Sequence, residues 1–274
     1  FDSGPLDTTK WNYLYGYGCQ YGICGWGNEE IQYYTDRQEN IRVDSGLLVI
    51  EAREEPVDSA LLARYPEYTS EAIPGGNSWK VKPRIFKHTS ARITTKGKGD
   101  WTFGKVEVRA KIPDGGDGAG IWPAIWMLPT HDKYGHWPQS GEIDIMEAYG
   151  PNMDTVHQTF HWWSGEGEWQ NYMQSEKVLN PMASWADSFH VYGLVWTQEK
   201  AILTIDGREK VTRENQGSTR LYPYLDEFHL IMNIAVGGGA LRGRQTFGLT
   251  RFPQTMQVDW VRVYRNRNLQ AKEE

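Results

Sequence analysis

The sequence predicts an all-β protein, a sandwich of two antiparallel sheets, and three observations support that class. Apolar and polar positions alternate, the mark of a half-buried strand, in GLLVIEAR (46–53), TFGKVEVRAKI (102–112), HVYGLVWT (190–197) and AILTIDGREKV (201–211). Turn signals separate the runs, the clearest being Asp206-Gly207, a pair suited to a tight hairpin. No long 3.6-residue periodicity competes, so strands do not alternate with helices as a parallel α/β fold requires.

From the N-terminus, Cys19 and Cys24 lie five positions apart in a Gly- and Tyr-rich loop. A local disulfide is feasible there in an oxidising compartment, and two reduced thiols are the alternative. After the strand at 46–53, residues 54–88 carry Pro56, Pro66, Pro74, Gly75, Gly76 and Pro83 and read as one long surface loop. Long ordered loops often shape binding clefts, although this one also fits a passive insertion. DGGDGAG (114–120) and GGGALRG (237–243) have neither the Lys-Ser/Thr ending nor the strand-to-helix context of a phosphate loop, and they read as flexible cleft rims. MQVDWVRVYR (256–265) supplies a closing strand.

With 274 residues and no internal repeat or composition shift, a single domain over 1–274 is expected. Thirteen Trp, 15 Tyr and 29 Gly fit short strands, tight turns and much aromatic surface, a profile suited to sugars. A net charge of −6 without a Lys/Arg run excludes a phosphate-backbone partner, so no nucleic acid is expected. No stretch approaches the roughly 18 consecutive apolar residues of a membrane helix, and no membrane partner is expected. FDSGPLD lacks the pattern of a signal peptide, so a mature or trimmed chain is expected.

The chemistry concentrates in WPQSGEIDIMEAYG (137–150), where Glu142, Asp144 and Glu147 interrupt an apolar run. In a regular strand Glu142, Asp144 and Met146 would share a face and Glu147 would point into the core. A lone buried carboxylate is costly, and one surplus residue, a β-bulge near Ile145 and Met146, returns Glu147 to the face of the other two acids. The two glutamate Cα atoms then lie roughly 13 Å apart, about four steps of ~3.3 Å. Inward-reaching side chains can bring the carboxyl groups to the ~5–5.5 Å of a retaining glycosidase rather than the ~6.5–9.5 Å of an inverting one.

E-I-D-I-M-E at 142–147 resembles the signature of glycoside hydrolase family 16. WGNEEIQYYT (26–35), ENIRVDSGLLVIEA (39–52), TSARITTKGK (89–98), WTFGKVEVRAKIP (101–113), GIWPAIWMLP (120–129), FHLIMNIAVGG (228–238) and FPQTMQVDWVRVYR (252–265) resemble its laminarinase, or endo-β-1,3-glucanase, branch in the same order. The resemblance implies a β-jelly-roll sandwich of two curved antiparallel sheets, with a concave substrate cleft open at both ends. It also implies a secreted, extracellular and monomeric enzyme that cuts β-1,3-glucan of the laminarin type, with mixed-linkage glucan as a second substrate.

By that resemblance Glu142 is the nucleophile, Glu147 the general acid/base and Asp144 an auxiliary carboxylate. Asp144, on the same face, is expected to hydrogen-bond Glu142, and the accumulated negative charge to keep Glu147 protonated. Trp122, Trp126 and Trp137 are expected in the cleft, where indole faces stack on pyranose rings. His161 in TFHWW matches a position on the neighbouring strand within reach of Asp144, and Asn28, Glu30, Arg92 and Asn233 match positions that contact sugar hydroxyls. No cofactor is expected for catalysis. A structural Ca²⁺ is implied, with Gly46, Asp259 and Asp2 or a neighbour as oxygen donors. Related laminarinases commonly carry a Trp after the second glycine cluster, where this chain has Leu241.

Two other readings stay open. Family relatives that cut agar, carrageenan or porphyran share the motif, and the 54–88 stretch keeps them in view. A non-catalytic β-glucan-binding lectin would keep the aromatic cleft and lose the carboxylates, whereas all three are present here.

Overall fold

The computed structural model describes residues 1, 5–64, 86–116, 120–150, 152–163, 171–180, 183–241 and 251–265. In chain order the first strands are β1 (Asn12–Leu14), β2 (Tyr33–Tyr34), β3 (Ile41–Asp44), β4 (Leu47–Glu54), β5 (His88–Ser90), β6 (Arg92–Thr94), β7 (Asp100–Trp101) and β8 (Gly104–Lys111). There follow β9 (Ile121–Pro129), β10 (Glu142–Ala148), β11 (Thr155–Trp163), β12 (Asn171–Leu179), β13 (His190–Trp196), β14 (Lys200–Ile205), β15 (Arg208–Glu214), β16 (Phe228–Val236) and β17 (Gln254–Tyr264).

These strands form two sheets, packed as a jelly-roll sandwich. One runs β1-β6-β16-β9-β10-β11-β12 with β7 on β16, and the other runs β15-β14-β13-β8-β17-β4-β5-β2 with β3 on β4. The pairing is antiparallel, as expected, except between the short strands β2 and β5, which run parallel. A long connection separates these two strands, so their relative direction is not imposed by a hairpin.

The alternation read in the sequence becomes the division between core and surface. Val106, Val108 and Ala110 of β8, Tyr192, Leu194 and Trp196 of β13, and Leu48, Ile50 and Ala52 of β4 point inward from one sheet. They meet Ile125 and Met127 of β9, Ile143, Ile145 and Met146 of β10, and Leu230, Met232 and Ile234 of β16 from the other. Burial of this many large apolar side chains, each contributing about 1.5–3 kcal/mol, is the principal term holding the sheets together. The predicted hairpin is present: Asp206 and Gly207 take φ of 51° and 73°, the two left-handed residues that a tight turn between β14 and β15 needs.

The stretch 54–88 is not all loop. A short helix, Ser59–Arg64, forms where Asp58 accepts the Leu61 amide on Oδ1 at 2.8 Å, an N-terminal cap followed by helix-forming Ala and Leu. Residues 65–85 lie outside the described residues, and so does any part they take in shaping the cleft. Among the described residues no helix is long and apolar enough to cross a membrane.

Candidate active site

The site is built on β10. Against β9, Asp144 pairs with Trp126 and Met146 with Ile125; against β11, Asp144 pairs with Thr159 and Glu147 with His157. One surplus residue therefore sits between Asp144 and Glu147, and Ile145 and Met146 both turn into the core, each fully buried. Two consecutive core side chains, Ile145 and Met146, are what a bulge permits and a regular strand forbids. Glu142, Asp144 and Glu147 accordingly share the outer face, as the burial argument predicts.

Each glutamate is held by an indole. Trp137 donates Nε1–H to Glu142 Oε2 at 2.5 Å, and Trp122 donates Nε1–H to Glu147 Oε1 at 2.9 Å. Asp144, 2% exposed, pairs through Oδ2 with His161 Nε2 at 3.0 Å. This differs from the expected bond to Glu142, because the register sets Glu142 opposite His161 and lets the ring reach along the strand to the next outward acid. A carboxylate oxygen of Glu142, one of Asp144 and a ring nitrogen of His161 lie within 4.8 Å of one another.

The electrostatics follow from burial and crowding. Burial first, then the charge of Glu142, pushes Glu147 up to about 7, while the Trp122 hydrogen bond and His161 act in the opposite direction. Asp144 is raised well above the usual carboxylate range by burial and by the charges of Glu147 and Glu142, with His161 opposing. Burial alone would lower His161, but the hydrogen bond and charge of Asp144, joined by Glu142 and Glu147, push it up to about 10. Glu147 thus retains a proton that an isolated carboxyl would release, which is the condition for a general acid at neutral pH.

On the flank formed by β6 and β16, the Arg92 guanidinium lies between two indoles, 4.4 Å from the Trp26 ring centre and 4.8 Å from that of Trp126. Trp126 donates Nε1–H to Asn233 Oδ1 at 2.9 Å. Glu30, 3% exposed, accepts from Gln32 Nε2 at 2.6 Å and from Tyr34 Oη at 3.2 Å, and Asn28 also bonds it. Asn28, Glu30, Arg92 and Asn233 thus form one connected polar wall beside Trp126. Trp122 and Trp126 are outside the core cluster, and Trp137 is 44% exposed, so all three indoles face the site.

Cys19 and Cys24 form a disulfide. Gly238 lies against Trp122, where a Cβ would come 3.1 Å from the ring, so the second glycine cluster borders the site. In the first, Gly115 packs on Met153 and Gly116 on Arg251. Residues 117–119 and 242–250 of these clusters lie outside the described residues. Leu241 is fully buried, so it packs inward and presents no ring to a ligand.

Among the proposed cation donors, Asp259 is the surplus residue of a second bulge, between Val258 and Trp260, and its Oδ2 accepts from Arg109 Nη1 at 2.5 Å. The Phe1 carbonyl lies 3.5 Å from where a Cβ on Gly46 would sit. Asp2 lies outside the described residues.

Tyr149 and Trp26 were not singled out in the sequence. Tyr149 hydrogen-bonds Glu147 and packs against the rings of Trp122 (5.5 Å) and His157 (4.9 Å). Its signal was available, since position 149 follows 147 by two and so shares its face. Trp26 reaches the site only through the fold.

Paired carboxylates, one of them raised by burial, on a sheet face walled by indoles, define an enzyme that cleaves glycosidic bonds. The chain belongs to the glycosyl hydrolases family 16, whose family model matches residues 23–262. It is 40% identical to a beta-glucanase of Rhodothermus marinus, over 96% of this chain and 82% of that protein. It is 37% identical to glucan endo-1,3-beta-glucosidase A1 of Niallia circulans, over 97% of this chain but 37% of that longer protein. The laminarinase catalytic domain of Thermotoga maritima superposes with a TM-score of 0.77 at 34% identity, over 97% of this chain and 95% of that one.

Proposed function

We propose that this chain is an endo-acting, retaining β-1,3-glucanase in which Glu142 is the nucleophile and Glu147 the general acid/base. The observation that carries the reading is the bulge in β10, which sets Glu142 and Glu147 on one face with Glu147 holding its proton near neutrality. The names of the similar proteins support glucan as the polysaccharide.

Trp137 occupies Glu142 Oε2, which leaves the other oxygen to attack the anomeric carbon. As that bond forms and the glycosidic C–O bond breaks, Glu147 gives its proton to the leaving oxygen. The resulting ester removes the charge of Glu142, one of the causes that raise Glu147, so Glu147 becomes the stronger acid and takes the carboxylate form. It then accepts a proton from the water that cleaves the ester, and the anomeric configuration is retained. The ion pair with His161 fixes Asp144 between the two acids. The exposed face of Trp137 and the wall of Trp126, Arg92 and Asn233 offer stacking and hydrogen bonds to neighbouring sugar rings.

Extracellular action is part of the proposal, supported by the disulfide between Cys19 and Cys24. So is a structural Ca²⁺. Its donors would be the Phe1 and Gly46 carbonyls and the Asp259 carboxylate, hard oxygens of the kind this ion takes, and it would tie the N-terminus to β17 without entering the reaction.

The test is reducing-end release from laminarin, lichenan and agarose, with proton NMR of the first-formed product. Wild type should cleave laminarin with retention, and Glu142→Gln and Glu147→Gln should each lose at least about 10³-fold. Inversion, activity on agarose alone, or full activity of either variant overturns the assignment.

A further inference from the structure

The bulge that makes the site functional leaves backbone groups without ladder partners in the middle of the sandwich. Ile145 falls between the β9 pairs of Asp144 and Met146, and neither Ile145 nor Met146 has a partner on β11. Both residues are fully buried, so the freed carbonyl of Ile145 needs a donor from within the core.

Gln158 supplies it. This residue lies on β11 between His157 and Thr159, directly across from the surplus position, and is itself fully buried among apolar side chains. Its Nε2 donates to Ile145 O at 2.7 Å and to Thr204 O at 3.2 Å. Thr204 is on β14 of the opposite sheet, at the point where the pairing with β15 also shifts between Leu203 and Thr204. One amide thus joins the irregular points of both sheets, and a polar side chain occupies a position that alternation assigns to the core.

We propose that Gln158 is a positioning residue for the reaction: by holding the bulge in one geometry it sets where Glu147 stands relative to Glu142. The inference rests on the acid/base role of Glu147. Glu142 and Asp144 precede the bulge and keep regular pairs with His161 and Thr159, so loss of the donor displaces Glu147 selectively. The nucleophile stays in place while proton delivery fails.

The experiment uses Gln158→Met, which keeps length and removes the donor, and compares two substrates. Laminarin needs a proton on its leaving oxygen. A 2,4-dinitrophenyl β-glucan oligosaccharide does not, and added azide opens its glycosyl-enzyme without a base. For the variant, kcat on laminarin should fall about 10- to 100-fold, the scale of a 1 Å misplacement, with KM within about threefold. Turnover of the aryl substrate with azide should stay within about threefold of wild type. An equal fall on both substrates, or an unchanged rate on laminarin, overturns the proposal.

Glu147→Ala is run alongside. If it fails to show the same selectivity, the acid/base reading itself is wrong; if it shows the selectivity and Gln158→Met does not, only this inference fails. Should Gln158→Met not fold, Gln158→Glu keeps the shape and regains one donor when protonated. Its rate on laminarin relative to wild type should then rise as the pH falls from about 7 to about 5. A ratio independent of pH overturns the proposal.

Discussion

Trp122 donates its indole N–H to Glu147 at 2.9 Å, so an aromatic wall of the site also orients the proposed acid/base. That bond favours the carboxylate and holds the proton affinity of Glu147 below what burial alone would set. Trp122→Phe keeps a ring and removes the donor. The alkaline limb of kcat/KM should therefore move to higher pH, with kcat falling by about 10-fold. A limb that moves down, or stays in place, contradicts this role.

His161 is the cationic partner of the buried Asp144. His161→Gln leaves that carboxylate unpaired, a loss of about 3–5 kcal/mol when it is ionised. Protonation of Asp144, already favoured by burial and by Glu147 and Glu142, relieves the penalty at low pH. Thermal unfolding should accordingly show a larger loss at pH 7 than at pH 5. Equal losses at both would point to packing instead.

Glu147 reaches about 7 in the folded chain against roughly 4.3 when unfolded. A raised carboxyl stabilises the fold relatively below the unfolded value, and that contribution is lost as pH rises through the folded value. Glu147→Gln should therefore leave Tm unchanged near pH 4, raise it progressively from about pH 4.3 to 7, and hold a plateau above. A gain confined to acid pH would reverse the sign and refute the shift.

The disulfide closes a short loop, with the cysteines five positions apart. Chain entropy assigns such a loop about 2 kcal/mol, or about 4–8 °C in a protein of this size. The double variant Cys19→Ser/Cys24→Ser should melt lower by that amount and lose reductant sensitivity. Because the same loop carries Trp26, which stacks on Arg92, KM for laminarin should rise as well.

If Asp259 and the Gly46 carbonyl hold Ca²⁺, a chelator should lower Tm by several degrees without altering the anomeric outcome, and added Ca²⁺ should restore it. Asp259→Ala should melt lower and no longer respond. A chelator response that persists in that variant removes Asp259 from the site.

Much of the site was legible because it depends on local geometry. The three acids of β10 could not share a face without a surplus residue, and Ile145 with Met146 was the one place where two apolar residues in succession could absorb it. Asp206-Gly207 announced its turn by chemistry alone. The helix at Ser59–Arg64 was hidden because six residues are too few for periodicity to register amid prolines, although Asp58 was a usable cap.

Pairing across strands was not legible in the same way. That Arg92 lies between Trp26 and Trp126 and that Asp259 engages Arg109 depend on strand register, whereas the reach of His161 to Asp144 was already implied by the resemblance. Gln158 is the sharpest case, since alternation puts it on the core face, where a glutamine has no evident purpose until the freed carbonyl of the bulge opposite it is known.

The amino-acid order alone therefore determined the long alternating strands, the face their side chains take, and that one irregularity must lie between Asp144 and Glu147, because these follow from backbone geometry and the cost of burying charge. Tertiary structure alone decided the partners of those side chains and hence their proton affinities. Register and sheet packing are collective outcomes of the whole core, and the fields at Glu147 and His161 arise from groups distant in the chain.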